Sequence, residues 1–253
     1  MSRILVVLAV VGGLSGQAFA QSARPWWEPA VVGKFDFLSQ YVSGAGDGVA
    51  YGKPTNQNDV WFGWQSGVYF NVWGSQILGT ESPVGNYGNE YDYGLGLAGN
   101  VYGLGYDVSV NYFDLSAPKL FEFHGDMFQI AIELNKTFTL DAHSITPYVR
   151  AEPSWVVSGA APFGAYFHLG VRDRWKMSDL LTLTGSARLV YDTGVYGAVP
   201  GSNLRFDLGP EWKLSDKVFL RFPYGRYYIP LSDSHGTRKN NFVFGGGIDW
   251  HIN

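Results

Sequence analysis

Apolar and polar residues alternate with a period of two along most of the chain, and a helical period is almost absent. In the stretch 203–214, most odd positions carry charged side chains or glycine. The even positions there are Leu204, Phe206, Leu208, Pro210, Trp212 and Leu214. Because successive side chains of a strand point to opposite faces, such a segment has one apolar and one polar face. The pattern therefore predicts a chain built from β-strands.

This alternation defines twelve predicted strands, most of which match the ~9–11 residues that a tilted strand needs to cross a bilayer. Their predicted spans are 30–42, 58–64, 67–77, 89–99, 104–115, 125–136, 144–153, 163–174, 180–191, 202–213, 217–229 and 240–252. The connections between them alternate between long and short, which is typical of outer-membrane barrels with long outer loops and short periplasmic turns. The sequence thus predicts an all-β fold, a single closed antiparallel transmembrane β-barrel of about twelve strands.

Aromatic residues collect at the ends of the predicted strands, although aromatic enrichment in strands generally is the alternative explanation. An inner girdle is predicted from Trp64, Trp175, Trp212 and Trp250, which lie beside short turns or the C-terminus. An outer girdle is predicted from Tyr41, Tyr91, Tyr112, Phe163, Tyr191 and Tyr228. Two such belts flanking an apolar band are expected where a barrel meets both membrane surfaces.

The N-terminal segment has the features of a secretory signal peptide: Arg3, an apolar stretch over 4–11, and Ala18-Phe19-Ala20. We expect cleavage after Ala20, a periplasmic segment over 21–29, a barrel over 30–253, and a location in the bacterial outer membrane. A membrane anchor is the alternative, but the apolar stretch is shorter than the ~20 residues that span a bilayer.

The composition narrows the classes of protein. The chain has 253 residues, 17% aromatic, 16% charged, a net charge of −4 and a mean hydropathy of −0.06. These values argue against a disordered chain, a nucleic-acid-binding protein and a helical membrane protein. The absence of cysteine removes disulfides, zinc–thiolate sites and thiol catalysis.

Candidate catalytic and cofactor motifs are weak. Gly94-x-Gly96-x-x-Gly99 matches a dinucleotide fingerprint as a string, but it lies inside a predicted strand rather than before a helix. The chain has five histidines, and no two are spaced as a metal pair: His124, His143, His168, His235 and His251. We therefore expect no cofactor, no metal and no catalytic residue.

Strand parity assigns many charged side chains to the lumen. The acidic ones are Asp36, Glu90, Asp92, Asp107, Glu133 and Glu152, followed by Asp207, Glu211 and Asp249. The basic ones are Lys34, Arg150, Arg172, Arg174, Arg188, Arg205, Lys213, Lys217 and Arg221. Asp173 and Arg226 are predicted to point outward. Acids dominate the first six strands and bases dominate strands seven to eleven, so a closed barrel has opposed acidic and basic walls. Such walls suit a channel for polar solutes, or a salt-bridged plug.

The final predicted strand carries Gly246, Ile248 and Trp250 at the spacing of C-terminal strands in outer-membrane barrels, and ends on Ile252-Asn253 rather than on an aromatic residue.

For a barrel of this kind the expected partners are outer-membrane lipids, the barrel-assembly machinery and small polar solutes, with no nucleic acid. The oligomeric state is left open.

Three stretches carry a resemblance to a known family. The segment 68–75 (VYFNVWGS), Asn89-Glu90-Tyr91-Asp92 and the segment 106–114 (YDVSVNYFD) resemble TorF-family porins, as does the early Ser39-Gln40-Tyr41-Val42. The Arg-Gly that usually follows the early motif is replaced by Ser43-Gly44. The resemblance covers roughly residues 35–115. It implies an outer-membrane barrel with a pore function, and it supplies no catalytic residues.

Together these features predict an outer-membrane porin-like channel for passive diffusion of small hydrophilic solutes, and not an enzyme. A non-conducting structural or surface-interaction barrel is the alternative. A membrane-embedded lipid hydrolase is a third hypothesis.

Overall fold

The computed structural model describes residues 25–42, 49–78, 89–115, 126–157, 163–195, 198–233 and 239–252. The predicted signal peptide and much of the predicted outer loops lie outside the described residues. The strands of the described part are β1 (Ala30–Leu38), β2 (Tyr41–Val42), β3 (Val49–Tyr51), β4 (Thr55–Gly63), β5 (Val68–Ile77), β6 (Glu90–Val101), β7 (Leu104–Asp114), β8 (Met127–Asn135), β9 (Phe138–Leu140), β10 (His143–Val156), β11 (Gly164–Lys176), β12 (Leu181–Asp192), β13 (Gly201–Lys213), β14 (Val218–Asp233) and β15 (Asn241–Ile252).

Twelve of these strands form one closed antiparallel barrel, which confirms the predicted fold class. Around the barrel the order is β1, β4, β5, β6, β7, β8, β10, β11, β12, β13, β14 and β15, and β15 pairs back onto β1. The short β9 adds to the start of β10, and β2 and β3 form a separate two-stranded sheet. Within the described residues, no helix is long and apolar enough to span a membrane.

The predicted strand boundaries differ from the structure at several strand ends: β14 extends to Asp233 instead of residue 229, β10 extends to Val156 instead of residue 153, and the first hairpin is altered. The first barrel strand ends at Leu38 instead of residue 42, because Tyr41 and Val42 pair with β3 instead of continuing along the barrel wall. The next strand starts at Thr55, three residues before the predicted start at 58. The predicted turn at Gln65-Ser66 is present, and the Trp64 N–H donates to the Val68 carbonyl across it.

The outer face of the barrel is apolar and exposed, the reverse of a water-soluble protein. Leu95 on β6, Leu169 on β11 and Leu208 on β13 are 59%, 61% and 59% exposed. Their neighbours in sequence on these strands point inward, and most of the buried charged side chains lie on that inner face. An apolar outer surface around a polar interior is what a barrel needs when lipid is its outer solvent.

Part of the interior is filled by side chains. Val32, Trp61, Tyr69 and Ala98 form one buried apolar cluster, with the Trp61 and Tyr69 rings 4.8 Å apart. Tyr69 lies directly over Gly96, where an added Cβ would fall 2.3 Å from the Tyr69 ring. Glycine is required there because only a residue without a side chain leaves room for the tyrosine. A second apolar cluster contains Leu38, Val42, Tyr228 and Val243.

Strand β14 contains an irregularity that reverses the predicted parity of its second half. Its register with β15 shifts between Arg221 and Tyr224, so Phe222, which is 52% exposed, and Pro223 both lie on the outer side. A bulge of this kind inserts an extra residue into one strand and re-aims those that follow it. The prediction that Arg226 points outward is therefore wrong, because Arg226 reaches Asp207 inside the barrel. Tyr228, predicted in the outer girdle, is 1% exposed and inside as well.

Candidate functional site in the barrel lumen

The lumen contains a cavity of about 450 Å³ that is lined by side chains from both sides of the barrel. Most of the charged residues predicted to face the lumen lie along it. Those that line it are Lys34, Asp36, Glu90, Asp92, Glu133, Arg150, Glu152, Arg172, Arg188, Arg205, Asp207 and Arg221. The barrel thus brings acidic strands early in the sequence and basic strands late in the sequence to one shared space.

The centre of the basic wall is a pair of arginines on neighbouring strands. Arg188 on β12 and Arg205 on β13 are directly opposite each other in the strand register. The Arg205 Nε and Nη2 donate to the two carboxylate oxygens of Asp207 at 2.9 and 3.1 Å. Arg188 has no carboxylate within ion-pair distance among the described residues, and its Nε is buried without a hydrogen-bond partner. Like charges on directly opposed residues repel, so this pair is a local excess of positive charge.

Asp207 is the hub of a polar network around that pair. Besides Arg205, its carboxylate accepts hydrogen bonds from Arg226 Nε at 2.6 Å, from Ser186 Oγ at 3.0 Å and from the Tyr224 hydroxyl. A single carboxylate therefore serves two arginines. The sequence did not reveal this because Arg226 enters the lumen only through the bulge in β14.

A second network lies on the β8–β10–β11 part of the wall. Arg150 Nε donates to Glu152 at 2.5 Å, and His168 Nε2 lies 2.8 Å from the other oxygen of Glu152. Arg172 Nη2 donates to Glu133 at 2.6 Å, and its guanidinium lies 4.0 Å from the centre of the Tyr148 ring. These charges are held in place by carboxylates on the same part of the wall, which fixes their positions without filling the lumen.

The acidic wall contains Asp59 on β4 and Glu90 and Asp92 on β6. Tyr41 donates a 2.5 Å hydrogen bond to Glu90, so this tyrosine lies in the lumen and not in the predicted outer girdle. One carboxylate oxygen of Asp59 and one of Asp92 are buried without a hydrogen-bond partner. Asp59 was missed from the sequence because the hairpin 58–77 has the least regular alternation, which left the parity of β4 unassigned.

Arg221 contacts both strands of the seam at which β15 pairs with β1 and closes the barrel. Its Nε donates to Asp249 on β15 at 2.8 Å, and its Nη2 donates to Asp36 on β1. Lys34 lies 3.1 Å from the same Asp36 carboxylate. This cluster joins three strands that are consecutive around the barrel.

The remaining predicted lumen residues lie away from the cavity lining. Arg174 pairs with Glu211 at 2.7 Å towards the short-turn end, and Asp107 accepts a 2.6 Å hydrogen bond from Tyr69 in the packed interior. Lys213 pairs with Asp216 in the turn after β13, and Lys217 lies in that exposed turn instead of the lumen. Asp173, predicted to point outward, contacts His143 at 3.0 Å.

The four predicted girdle tryptophans all lie near the short-turn end. Trp175 and Trp212 are on the outer face, and the Trp250 ring packs beside Gly33 of β1. Trp64 lies at the first short turn, and its indole N–H donates to the Trp27 carbonyl at 3.1 Å. This placement is compatible with a membrane-interface role, which stays a prediction.

The other motifs have structural explanations. In the Gly94-x-Gly96-x-x-Gly99 string, an added Cβ would meet Asn71, Tyr69 and Tyr106 respectively at 2.1, 2.3 and 2.5 Å. These glycines make room for neighbouring side chains within β6 and its partners. Among the described residues no group of three or more histidine, aspartate or glutamate side chains could hold a metal ion. His124 and His235 lie outside the described residues.

Comparison with known proteins gives structural matches only. No protein-family model and no curated protein matches the chain, so membership of the TorF family stays a prediction. A KdgM porin in complex with disordered oligogalacturonate is similar with a TM-score of 0.54 and 6% identity, over 88% of this chain and 99% of the porin. An outer membrane channel from Pseudomonas putida F1 is similar with a TM-score of 0.55 and 11% identity, over 94% of this chain and 100% of the channel.

A further match is the translocator domain of the autotransporter NalP from Neisseria meningitidis, with a TM-score of 0.55 and 11% identity, over 88% of this chain and 87% of that domain. Since identities this low establish the fold alone, the common element is the barrel itself. The closed twelve-stranded barrel and its apolar outer face define this chain as an outer-membrane β-barrel, in agreement with the predicted location in the bacterial outer membrane.

Proposed function

We propose that this barrel is a channel through which small hydrophilic solutes cross the outer membrane by passive diffusion. The observation that supports this is the cavity in the lumen, about 450 Å³, lined on one side by acidic and on the other by basic side chains. Opposed charges across a narrow lumen create a transverse field that orders water and polar solutes. A cavity of this volume is suited to a small molecule.

The strands that the ion pairs join favour an open channel over a lumen plugged by salt bridges. Arg150–Glu152 and Arg205–Asp207 are pairs within one strand. Arg226–Asp207 joins neighbouring strands, and Arg172–Glu133 joins strands two positions apart around the barrel. These pairs run along the wall and do not bridge the lumen. Arg172–Glu133 and Arg221–Asp36 do join residues of the basic and acidic walls, but only where the two walls meet, on strands two positions apart. A plug needs pairs between opposite sides of the barrel. Among the described residues no ion pair joins Arg188 to Asp92, and the Arg188 Nε and one Asp92 oxygen have no hydrogen-bond partner.

The channel proposal is tested by planar-bilayer conductance of the mature protein. The wild type should conduct ions, and Arg188→Ser should shift its selectivity towards cations because one uncompensated positive charge leaves the lumen. The shift should grow at low salt, where screening is weak. Lys176→Ser, at the exposed end of β11 where Lys176 pairs with Asp179, is the matched control and should leave selectivity unchanged because solvent screens this charge. A wild-type barrel that never conducts would reject the channel and favour the non-conducting structural barrel.

The location is tested by fractionating cells that produce the full chain. The mature protein should be found in the outer-membrane fraction and should run as a heat-modifiable band, because a closed barrel with no free edge unfolds in detergent only on heating. A lipid-hydrolysis assay on the same fraction tests the hydrolase hypothesis. Recovery of the protein in the soluble periplasm would contradict the location.

A further inference from the structure

We infer that the lumen cavity binds small zwitterionic solutes, with the anionic group of the solute at Arg188 and Arg205 and its ammonium group at Asp59 and Asp92. This inference rests on the proposed channel function and names its substrate class. It follows from two independent features that line one cavity: an arginine pair in which the Arg188 Nε has no acceptor, and two carboxylates, Asp59 and Asp92, that each have one oxygen without a donor.

The basic end has hydrogen-bonding capacity that the described residues do not use. The Arg188 Nε is buried and has no acceptor, although a buried guanidinium donor normally finds one. Arg205 lies directly across the strand pair, and its own carboxylate partner Asp207 is shared with Arg226. Two guanidinium groups side by side are a suitable receptor for a carboxylate, because each presents several donors in a planar fork.

At the acidic end, carboxylate oxygens lack hydrogen-bond donors. Asp59 is only 6% exposed, yet one of its carboxylate oxygens has no donor. One oxygen of Asp92 also has no hydrogen-bond donor, whereas the neighbouring Glu90 accepts a hydrogen bond from the Tyr41 hydroxyl. Asp59 and Asp92 lie at the same level of the wall, on either side of Trp73 in the strand register. A primary ammonium group carries three donors for such a pair of acceptors. These carboxylates lie on β4 and β6, away from the arginine strands, so the two ends are supplied by different parts of the barrel.

A solute with both charges fits this cavity better than a solute with one. A simple anion pairs with Arg188 but brings negative charge towards Asp59 and Asp92. A simple cation pairs with these carboxylates but brings positive charge towards the arginines. A neutral solute gains neither charge-assisted hydrogen bond. A zwitterion aligns its dipole with the field between the walls and pairs with both, so the favoured solutes are small molecules with a carboxylate and an ammonium group.

Four probes of equal length separate these cases: 4-aminobutanoate (zwitterion), 4-hydroxybutanoate (anion), 4-amino-1-butanol (cation) and 1,4-butanediol (neutral). Each is added to the wild-type channel in a planar bilayer at pH 7, and its half-blocking concentration is measured. We expect 4-aminobutanoate to block at a concentration about tenfold lower than any other probe, because it alone gains both charged contacts. Equal blocking by the four probes would overturn the inference.

Two variants test which end of the cavity binds the carboxylate of the solute and which binds its ammonium group. Arg188→Gln should raise the half-blocking concentrations of 4-aminobutanoate and 4-hydroxybutanoate severalfold and leave that of 4-amino-1-butanol unchanged. Asp59→Asn should do the reverse, and Asp92→Asn is the second acidic variant should Asp59→Asn fail to assemble. Variants that weaken all four probes equally would contradict the assignment, since a general change in pore shape does not distinguish charges.

Failure of the channel proposal is distinguishable from failure of this inference. If the wild type conducts but shows no preference for 4-aminobutanoate, the channel stands and the zwitterion site is rejected. If the wild type does not conduct, the same four probes are measured by calorimetry with the detergent-solubilised barrel. Preferential binding of 4-aminobutanoate there supports the site in a non-conducting barrel, and equal or absent binding rejects it.

Discussion

Val110→Arg should prevent the barrel from assembling, whereas Asn111→Arg, one residue further along β7, should assemble like the wild type. Val110 lies on the outer face in the middle part of β7 and is 48% exposed, and Asn111 lines the lumen cavity. An arginine on the lipid face costs about 2–4 kcal/mol at the bilayer midplane, because a charge has no partner in the hydrocarbon. In the lumen the same side chain meets water and the acidic wall.

The measurement is the amount of folded, heat-modifiable protein in the outer-membrane fraction, supported by urea titration of the purified variants in lipid vesicles. Because the two positions are adjacent and the introduced residue is the same, differences in translation and export cancel. Equal assembly of both variants would show that the inner and outer faces of β7 are assigned wrongly.

Asp207→Asn should produce the largest loss of stability among single substitutions in the lumen. It keeps the shape of the side chain but removes the carboxylate shared by Arg205, which is 4% exposed, and Arg226. Breaking a buried ion pair from one side costs about 3–5 kcal/mol, since the remaining charge stays buried without compensation. The urea midpoint in lipid vesicles should therefore fall clearly.

Asp179→Asn is the matched control. Asp179 is paired with Lys176 at 2.7 Å in an exposed turn, where a hydrogen bond from Lys176 and its charge lower the pKa of the carboxyl. Solvent screens this pair, so its loss should leave the urea midpoint unchanged. Adding Arg226→Gln to the Asp207→Asn variant should restore part of the lost stability. An unchanged midpoint for Asp207→Asn would show that this network does not stabilise the barrel.

The barrel was predictable from sequence because its two solvents impose a pattern on single residues. Each strand must present apolar residues to lipid and polar residues to the lumen, and this period of two survives in most strands. The division of charge also follows from parity: Glu90 and Asp92 are on the acidic wall, and Arg188 and Arg205 are on the basic wall. These predictions need no knowledge of which strands are neighbours.

The errors arose where a residue's position depends on a partner strand. Arg226 and Tyr228 were assigned to the outer face because the bulge after Arg221 is a property of the pairing between β14 and its neighbours. A signal was present in the sequence: Pro210 and Pro223 both lack the N–H that a continuous ladder requires. The pairing of two arginines with one Asp207 was out of reach as well, because it depends on that register.

The seam between β1 and β15 has a consequence for the order of events during biogenesis. Val31 pairs with Ile252, so the contact that closes the barrel joins residues that are far apart in the sequence. Until β15 arrives, β1 and β14 each present an unsatisfied backbone edge to which any extended chain can add. Contacts this distant in sequence form slowly, because loop-closure entropy is lost before they stabilise the structure. The barrel therefore cannot close strand by strand as the chain is synthesised from the N-terminus. A chain that is arrested or cleaved before β15 has two unpaired strand edges and is prone to aggregate.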